Sequence, residues 1–378
     1  MLLRRLPLIL PLLALPTLMA CGNDPQASLP PPPSEVSVQA ITNDPGIDRT
    51  ALARAIDGLF DEDSVGETRA LIVMRGGLIV AERYGEGYGP QTRLLGWSAS
   101  SCLTGLIIGQ LVADGRLRRD ESAPVPAWRR SGDPRGEITL RQLLQMRSGL
   151  RHKETSDPVH LSDTTRMLFL DGRDNMARFA EAQPLESEPG KTFSYSSATE
   201  IILSDIATRA VTTSSSPEVR RIAMGTYLRT RLLDPAGMTS FTPEFDAAGT
   251  MIGSTMISAN ARDWAKLGEF LRNGGSVKGA QIVPRRWIDF MLSPPSQSPG
   301  YGAQVWLNRP QKDGSIALFP GRAPESSFGC VGQLGQYVFG SRDQKLTVVR
   351  LGHTTEDRAE ALRQRLGDLI ALFPGRQK

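Results

Sequence analysis

The hydrophobic pattern of the chain predicts strands near both ends of a folded body. Ala70–Arg75 and Leu78–Tyr84 are rich in aliphatic and β-branched residues, and Gly76 and Gly77 between them indicate a tight hairpin. Later apolar runs predict further strands at Ala303–Leu307, Gly335–Phe339 and Leu346–Leu351.

Amphipathic spacing predicts helices around and between these strands. Asp48 can cap a helix whose residues Leu52, Ile56 and Leu59 fall on one face. A long apolar helix follows Gly96–Ser101 and ends before Gly115. The other clear helices are predicted at Ile138–Met146, Arg262–Leu271 and Asp357–Leu372.

Strands at both ends with helices between them favour an α+β fold. We expect an antiparallel sheet built from residues 48–95 and 295–378 and flanked by helices. A mainly helical subdomain would occupy about residues 115–290. A functional site would lie in the cleft between the two parts, where ligand sites commonly form.

The N-terminus reads as an export signal and a membrane attachment site. Residues 1–20 have the charged start and short apolar run of a secretory signal. The following sequence Leu18–Cys21 resembles a bacterial lipobox, with Cys21 as the acylated residue. We therefore expect a lipoprotein anchored in the bacterial cell envelope and facing the periplasm, since several acyl chains bind a membrane firmly. A soluble secreted protein with a chance cysteine is the alternative.

A proline-rich linker is predicted to separate this anchor from the body. Residues 21–47 contain the run Pro30–Pro33 and few large apolar residues, a composition that favours an extended, stiff spacer. The body is then expected to occupy residues 48–378.

Composition excludes several classes of function. The net charge is +4, and removal of the two signal arginines lowers it to +2, which is too weak to indicate a nucleic-acid partner. The chain has three Cys and three His, so the sequence predicts no metal cluster and no cofactor.

Five segments in order carry a resemblance to a known group of enzymes. They are Trp97–Ser101, Leu143–Leu150, Phe193–Ser197, Asp234–Met238 and Cys330–Gly332, and the shorter Ala261–Asp263 also fits between the last two. Together they resemble motifs of the superfamily of penicillin-binding proteins and class C β-lactamases, and the esterase and aminohexanoate-dimer-hydrolase branches are nearest. The resemblance implies a DD-peptidase-like fold and an acyl-transfer reaction on a small-molecule amide or ester, or on a peptidoglycan-like ligand.

The resemblance also assigns roles to individual residues. Ser98 would be the acyl-forming nucleophile and Tyr195 the residue that relays a proton to the leaving group. The backbone N–H of Gln333, after the third-motif strand, would complete the oxyanion site, and Ser197 would contact substrate as the last residue of the second motif. Without the resemblance, Ser98 reads as an ordinary helix N-cap and Tyr195 as a half-buried aromatic residue.

Two positions depart from the pattern. The lysine that normally activates the serine, three residues after it, is Ser101, and the third-motif lysine or histidine is Cys330. The first lysine of the chain is Lys153, so no register shift restores the missing one. Neither replacement can carry a positive charge. Lys191, four residues before Tyr195, is a candidate to replace the missing amine, but its side chain is expected to lie in solvent.

These departures leave three hypotheses. The first is a catalytically impaired serine-hydrolase-like protein that binds an envelope ligand in the old cleft. The second is an active amide or ester hydrolase in which Tyr195 or an unrecognised base activates Ser98. The third is a structural lipoprotein without a ligand. Loss of a positioned base costs about 10²–10⁴-fold in rate, which favours the first hypothesis.

The remaining cysteines pose a separate question. The resemblance implies that Cys102, one residue after the vacant lysine position, lies on a helix beside the strand of Cys330. A periplasmic protein can form a disulfide there. Free cysteines are commonly buried, and two buried thiols are the favoured expectation.

Overall fold

An antiparallel sheet forms the centre of the structure, a computed structural model that describes residues 31–375. The strands of the protein are β1 (Glu67–Arg75), β2 (Leu78–Tyr84), β3 (Arg93–Leu95), β4 (Thr242–Pro243), β5 (Ile257–Asn260), β6 (Ser276–Val277), β7 (Ala280–Gln281), β8 (Trp306–Leu307), β9 (Phe328–Gly332), β10 (Gln336–Ser341) and β11 (Leu346–His353). Six of them form the main sheet in the order β2-β1-β11-β10-β9-β8. The two ends of the chain therefore share one sheet, as predicted.

Thirteen α-helices in the described part of the chain surround this sheet and fill the middle of the sequence. They are α1 (Glu35–Ala40), α2 (Arg49–Leu59), α3 (Glu62–Val65), α4 (Ser101–Ala113), α5 (Leu140–Leu144), α6 (Asp163–Phe169), α7 (Met176–Glu181), α8 (Ser197–Val211), α9 (Pro217–Leu228), α10 (Asp234–Ala236), α11 (Ala261–Arg272), α12 (Arg285–Met291) and α13 (Glu356–Ala371). Most of the helices between β3 and β8 belong to the predicted helical part. The α+β fold expected from the sequence is confirmed.

The sheet is covered on both faces, which explains why β1 reads as a continuous apolar run. Ile72 belongs to the core that includes α4 and α11, whereas the next residue, Val73, belongs to the core that includes α2 and α13. Successive side chains of a strand point to opposite faces. A strand between two helical layers therefore needs apolar residues at every position.

The predicted hairpin and first long helix are present. β1 and β2 pair from Arg75 opposite Leu78, with Gly76 and Gly77 in the left-handed region at φ of 61° and 90°. The Asp48 carboxylate accepts a hydrogen bond of 2.6 Å from the Ala51 N–H and caps α2. Both features follow from local sequence alone.

The predicted linker differs from the structure over its second half. The compact body begins at Pro33, and residues 35–40 form α1. The Asp57 carboxylate of α2 accepts hydrogen bonds from Ser34 and Ser37, and Ile41 pairs with Ala81 beside β2. These partners lie elsewhere in the body, so composition gave no sign of them. The predicted signal at residues 1–20, Cys21 and the linker up to residue 30 lie outside the described residues.

Two other predicted elements are shorter than expected. The helix expected at Ile138–Met146 is α5, because Thr139 and Gln142 form a capping box at its start and Met146 adopts φ of 54° after its end. The strand expected at Ala303–Leu307 contains only β8. Ala303 donates its N–H to the Met291 carbonyl instead of a sheet neighbour.

Neither a membrane span nor a metal site is found in the described range. Within residues 31–375, no helix has the length and apolar character needed to cross a bilayer. The same part of the chain contains no group of three or more His, Cys, Asp or Glu side chains placed to hold a metal ion.

Candidate active site

The predicted nucleophile lies in a tight turn at the start of α4. Residues Trp97–Ser100 form one turn of 3₁₀ helix that runs directly into α4. Trp97 has φ of 47°, a left-handed conformation that costs of order 1–2 kcal/mol for a residue other than glycine. Ser98 follows with 8% of its surface exposed. The surrounding packing therefore holds the serine in one place with a small part of its surface exposed.

The third-motif strand approaches this turn closely. Gly332 ends β9, and a Cβ atom there would lie 2.2 Å from the Gly96 carbonyl oxygen and 3.1 Å from the Ser98 nitrogen. Only glycine lets the two backbones meet at this distance. The Ser98 hydroxyl donates a 2.8 Å hydrogen bond to the amide oxygen of the exposed Gln333 side chain. The structure thus brings Ser98 and the Gln333 side chain together, whereas the prediction concerned the Gln333 backbone N–H at the oxyanion site.

Ser101, at the position of the missing lysine, is bound to a carboxyl group. Its buried hydroxyl lies 2.5 Å from Oε1 of Glu200 and 2.7 Å from the Ser98 carbonyl oxygen. The hydroxyl has one hydrogen, so it serves one of these acceptors at a time. The space beside the nucleophile is therefore occupied by a serine and an acid.

Glu200 lies at the fourth position of α8, with no exposed surface. Its Oε1 accepts a 3.0 Å hydrogen bond from the Tyr195 hydroxyl, whereas Oε2 has no hydrogen-bond partner. Burial raises the pKa of Glu200 well above its ordinary value, although the Ser101 hydrogen bond opposes the increase. No sequence motif identifies Glu200. The one indication in the sequence is an acidic residue in the first helical turn after the second motif.

Tyr195 links the carboxyl group to the nucleophile. Burial first, and then the charge of Glu200, raise the pKa of the Tyr195 phenol well above its ordinary value, while a polar contact with the Ser98 hydroxyl opposes that increase. The predicted pair of Ser98 and Tyr195 is therefore adjacent in the structure. Tyr195 therefore has polar contacts with both Ser98 and Glu200.

The cysteines contradict the favoured expectation of two free thiols. Cys102 and Cys330 form a disulfide, with a Cα–Cα separation of 6.0 Å. The bridge joins the first turn of α4 to the middle of β9, and both half-cystines are buried. The favoured expectation rested on how commonly cysteines are buried. It was wrong here because the helix and strand approach within disulfide range.

Ser197, predicted to contact substrate, has a carboxylate partner within the protein. It is the first residue of α8 and has no exposed surface. Its hydroxyl donates a 2.6 Å hydrogen bond and its N–H a 2.8 Å hydrogen bond to the Glu154 carboxylate. Both donors are thus occupied within the protein, which differs from the predicted contact with substrate. Sequence analysis did not single out Glu154.

Glu154 is a second, half-buried acid near the site. Burial alone would raise its pKa, but hydrogen bonds with His152 and Ser197 outweigh that effect and lower the pKa. His152 Nε2 lies 2.9 Å from Glu154 Oε2. His152 thus has a carboxylate partner that was not evident in the sequence, and the pair fixes the loop before the second motif.

Four aromatic residues pack against one another beside Ser98 and form an aromatic wall. They are Phe193, Tyr195, Tyr301 and Trp306. The rings of Tyr195 and Trp306 stack with centroids 5.6 Å apart, and Tyr301 meets Trp306 edge to face at 4.9 Å. Such a wall can bind the apolar part of a small acyl group.

A cavity of about 250 Å³ lies next to this wall. Its lining residues are Lys191, Thr192, Phe193, Gln297, Gln311, Lys312 and Asp313. The Lys191 side chain is 66% exposed and lies 3.8 Å from Glu188. It therefore faces solvent, as expected, and does not replace the missing amine.

The site contains a nucleophile without a cationic activator. Over residues 31–375, no lysine, arginine or histidine side chain makes a hydrogen bond to the Ser98 hydroxyl. The fold and the site together are those of a serine hydrolase of the penicillin-recognising type. Ser98, Tyr195 and the β9 strand take the positions expected from the motifs, while Ser101 and the disulfide replace the two cations.

Comparison with known families agrees with this class. The family model described as Beta-lactamase matches residues 56–372. The chain therefore belongs to the β-lactamase family, and the resemblance seen in its motifs is confirmed.

Individual relatives fall within the predicted branches. The chain is 28% identical over 260 residues to 6-aminohexanoate-dimer hydrolase from Paenarthrobacter ureafaciens, and the match covers 66% of this chain and 63% of that protein. The chain thus spans less than two thirds of that relative. A structure assigned as a 6-aminohexanoate-dimer hydrolase from Bacillus anthracis matches with a TM-score of 0.66 and 21% identity, over 82% of this chain and 80% of that chain.

A more distant structure shares the same fold. It is a penicillin-binding-protein homologue from Caulobacter crescentus, with a TM-score of 0.57 and 16% identity, covering 84% of this chain and 96% of that chain. Identities this low support the fold, and the fold is that of β-lactamases and DD-peptidases.

Proposed function

We propose that this protein is a lipid-anchored, periplasm-facing serine hydrolase of strongly reduced catalytic rate. In this proposal the cleft binds an amide or ester ligand of the cell envelope, and Ser98 exchanges acyl groups slowly. The family supplies the reaction class. The environment of Ser98 supports the reduction in rate.

The partner of the Ser98 hydroxyl carries this proposal. A serine must lose its proton as it attacks a carbonyl carbon. Its closest acceptor is the Gln333 amide oxygen at 2.8 Å, and a neutral amide cannot keep that proton. With Ser101 at the lysine position and Cys330 in a disulfide, the lysine that serves as base in the family is absent, and a base of this kind contributes about 10²–10⁴-fold.

A second candidate is an active hydrolase, and one observation favours it. The Tyr195 hydroxyl contacts both Ser98 and Glu200, so a proton has a path from the nucleophile to a carboxyl group. The candidates differ in rate and in whether turnover is the biological role.

The ligand class is proposed from the relatives and from the wall of the cleft. One relative is named for hydrolysis of an aminohexanoate dimer, which is an amide, and one structure is a penicillin-binding-protein homologue. The aromatic wall suits an apolar acyl portion. We therefore propose a small amide or ester, or a peptidoglycan fragment, as the ligand.

Hydrolysis assays test the rate. Purified protein is compared with Ser98→Ala on short-chain ester and β-lactam reporters, next to a family member that retains the lysine. We expect Ser98-dependent turnover at least about a hundredfold below that member. Equal rates for wild type and Ser98→Ala would exclude acyl transfer, and a rate equal to that member would select the active hydrolase.

Two further measurements test binding and anchoring. A peptidoglycan fragment that binds the folded protein should raise its melting temperature, and no rise with any amide or ester would argue against the ligand. Acylated protein should fractionate with membranes, and Cys21→Ser should release it or block maturation. Soluble wild-type protein that retains residues before Cys21 would contradict anchoring.

A further inference from the structure

Glu200 is the one carboxyl group in direct contact with the polar side chains around the nucleophile, within the described part of the chain. We propose that Glu200 replaces the missing lysine amine as proton acceptor and takes the Ser98 proton through the Tyr195 phenol. This inference rests on the proposed function, because it requires that Ser98 still performs slow acyl transfer.

Geometry favours Glu200 over the other candidates. Its Oε1 lies 2.5 Å from the Ser101 hydroxyl and 3.0 Å from the Tyr195 hydroxyl. Glu154 is occupied by Ser197 and His152. Gln333 can accept a hydrogen bond but cannot hold a proton.

Ser101 positions this carboxyl group. It is the residue three after Ser98, so its short side chain points along α4 beside the nucleophile. Its 2.5 Å hydrogen bond to Oε1 fixes one oxygen of Glu200 against Tyr195. The replacement of lysine by serine thus removes one base and, at the same place, orients another.

The proposed step transfers an acyl group to Ser98. Ser98 Oγ bonds to the carbonyl carbon of the ester or amide, its proton moves to the Tyr195 oxygen, and the Tyr195 proton moves to ionised Glu200. The carbonyl oxygen becomes an oxyanion. When the oxyanion collapses, the bond to the leaving oxygen or nitrogen breaks, and Glu200 returns the proton through Tyr195 to that leaving group. Water then cleaves the Ser98 ester by the same route.

The step requires the carboxylate form of Glu200, so its rate should depend on pH. The groups that face Glu200 are Ser101 on α4, Tyr195 before α8, Tyr301 beside β8 and the negative Glu154. Burial raises the pKa of Glu200, and Glu154 adds to that effect. The carboxylate is populated above this raised pKa, so the rate should increase as the pH rises through it.

A labelling experiment tests the inference without requiring turnover. A fluorophosphonate probe reacts once with an activated serine, and fluoride leaves as the Ser98 oxygen bonds to phosphorus. The labelling rate of full-length protein is followed by mass spectrometry from pH 5 to 9. The variants are Ser98→Ala, Glu200→Gln and Tyr195→Phe. Glu200→Gln keeps the size of the side chain and an oxygen that accepts hydrogen bonds from Ser101 and Tyr195.

We expect the wild-type rate to increase with pH. Ser98→Ala should show no labelling. Glu200→Gln and Tyr195→Phe should each label at least about tenfold more slowly, and Glu200→Gln should lose the increase with pH. A merely structural role for Glu200 would lower the rate without changing the shape of the profile.

Glu181→Gln is the matched control. Burial raises the pKa of Glu181 to about 7, yet its partners are Arg209 and Asp205, on the far part of α8. This variant should keep the wild-type profile. If Glu200→Gln fails to fold, Glu200→Asp keeps an acid with a shorter reach, and it should retain the increase with pH at a lower rate.

Three results would overturn the inference. These are an unchanged rate and profile in Glu200→Gln, a profile in folded Glu200→Asp that no longer depends on pH, and the absence of Ser98-dependent labelling in wild type within a day. In the last case a ligand-induced rise in melting temperature would still support binding in the cleft. The first two results would leave slow acyl transfer by Ser98 intact, whereas the third would exclude it.

Discussion

Removal of the Cys102–Cys330 disulfide should destabilise the protein substantially. The bridge joins residues separated by 228 positions and connects α4 to β9, the two elements that carry the nucleophile and the third motif. The double variant Cys102→Ala plus Cys330→Ala removes it and leaves two small buried side chains. The expected loss comes mainly from the unfolded state, which regains the freedom that the cross-link removes.

The sequence separation sets the size of the effect. The chain-entropy relation for a loop of this length gives about 5 kcal/mol, and measured values for native disulfides are commonly about 2–5 kcal/mol. The unfolding entropy is about 2.1 cal/mol/K per residue, so a body of this size loses roughly 1–2 °C of melting temperature per kcal/mol. We therefore expect the double variant to melt about 3–8 °C below wild type.

Thermal melts and guanidinium titrations measure this loss. Each single variant removes the same bridge, so Cys102→Ala and Cys330→Ala should each cost nearly as much as the double variant, and the effects should not add. Wild type in a thiol reductant should approach the variants. A melting temperature within about 1 °C of wild type, or additive single effects, would refute the reasoning.

Two other predictions concern packing and pH. Gly332→Ala would place a Cβ atom 2.2 Å from the Gly96 carbonyl oxygen, so it should lower the free energy of unfolding by about 1–3 kcal/mol and slow Ser98 labelling. Gly225→Ala in α9, where a Cβ atom would have nothing within 4 Å, should be neutral or stabilising. Equal melting temperatures for the two variants would contradict this. Burial raises the pKa of Glu181 from its ordinary 4.5 to about 7, so the folded state binds the extra proton between these values and stability should fall as pH rises through them, by at most about 1.4 kcal/mol per unit. Glu181→Gln should remove that slope in melts from pH 4.5 to 7.5, and an unchanged slope would assign it to other groups.

Much of the fold could be predicted because its signals are local. The hairpin follows from two glycines between apolar runs, and α2 follows from the Asp48 cap and its apolar face. The start of the body could not be predicted in this way. Ser34 and Ser37 are ordered by Asp57, a partner twenty or more residues away, and composition does not report such contacts.

The candidate site, like the fold, could be predicted from local signals but not from contacts between distant residues. Motif order placed Ser98 and Tyr195 together, and the missing lysine was visible from counting three residues onward. Glu200 and the disulfide depend on which side chains meet across α4, α8 and β9. The disulfide was foreseen as possible because the motif order brings that helix and strand together. Glu200 belongs to none of the motifs, so the sequence did not indicate its role.

The central claim is that replacement of the lysine, and not damage to the cleft, limits the chemistry. Ser101→Lys combined with Glu200→Ala tests it most directly. The first change restores an amine three residues after Ser98. The second frees the space that Glu200 occupies and removes a carboxylate that would hold the amine protonated. Alanine and lysine are both good helix formers, so α4 and α8 should persist.

Turnover of a short-chain ester is measured for this double variant. It is compared with wild type, with the single variant Glu200→Ala, and with a triple variant that adds Ser98→Ala to the two changes. We expect the double variant to turn over the ester at least about tenfold faster than both wild type and Glu200→Ala. The additional Ser98→Ala change should abolish this gain in rate. A correctly folded variant with no gain, or a gain that survives without Ser98, would contradict the central claim.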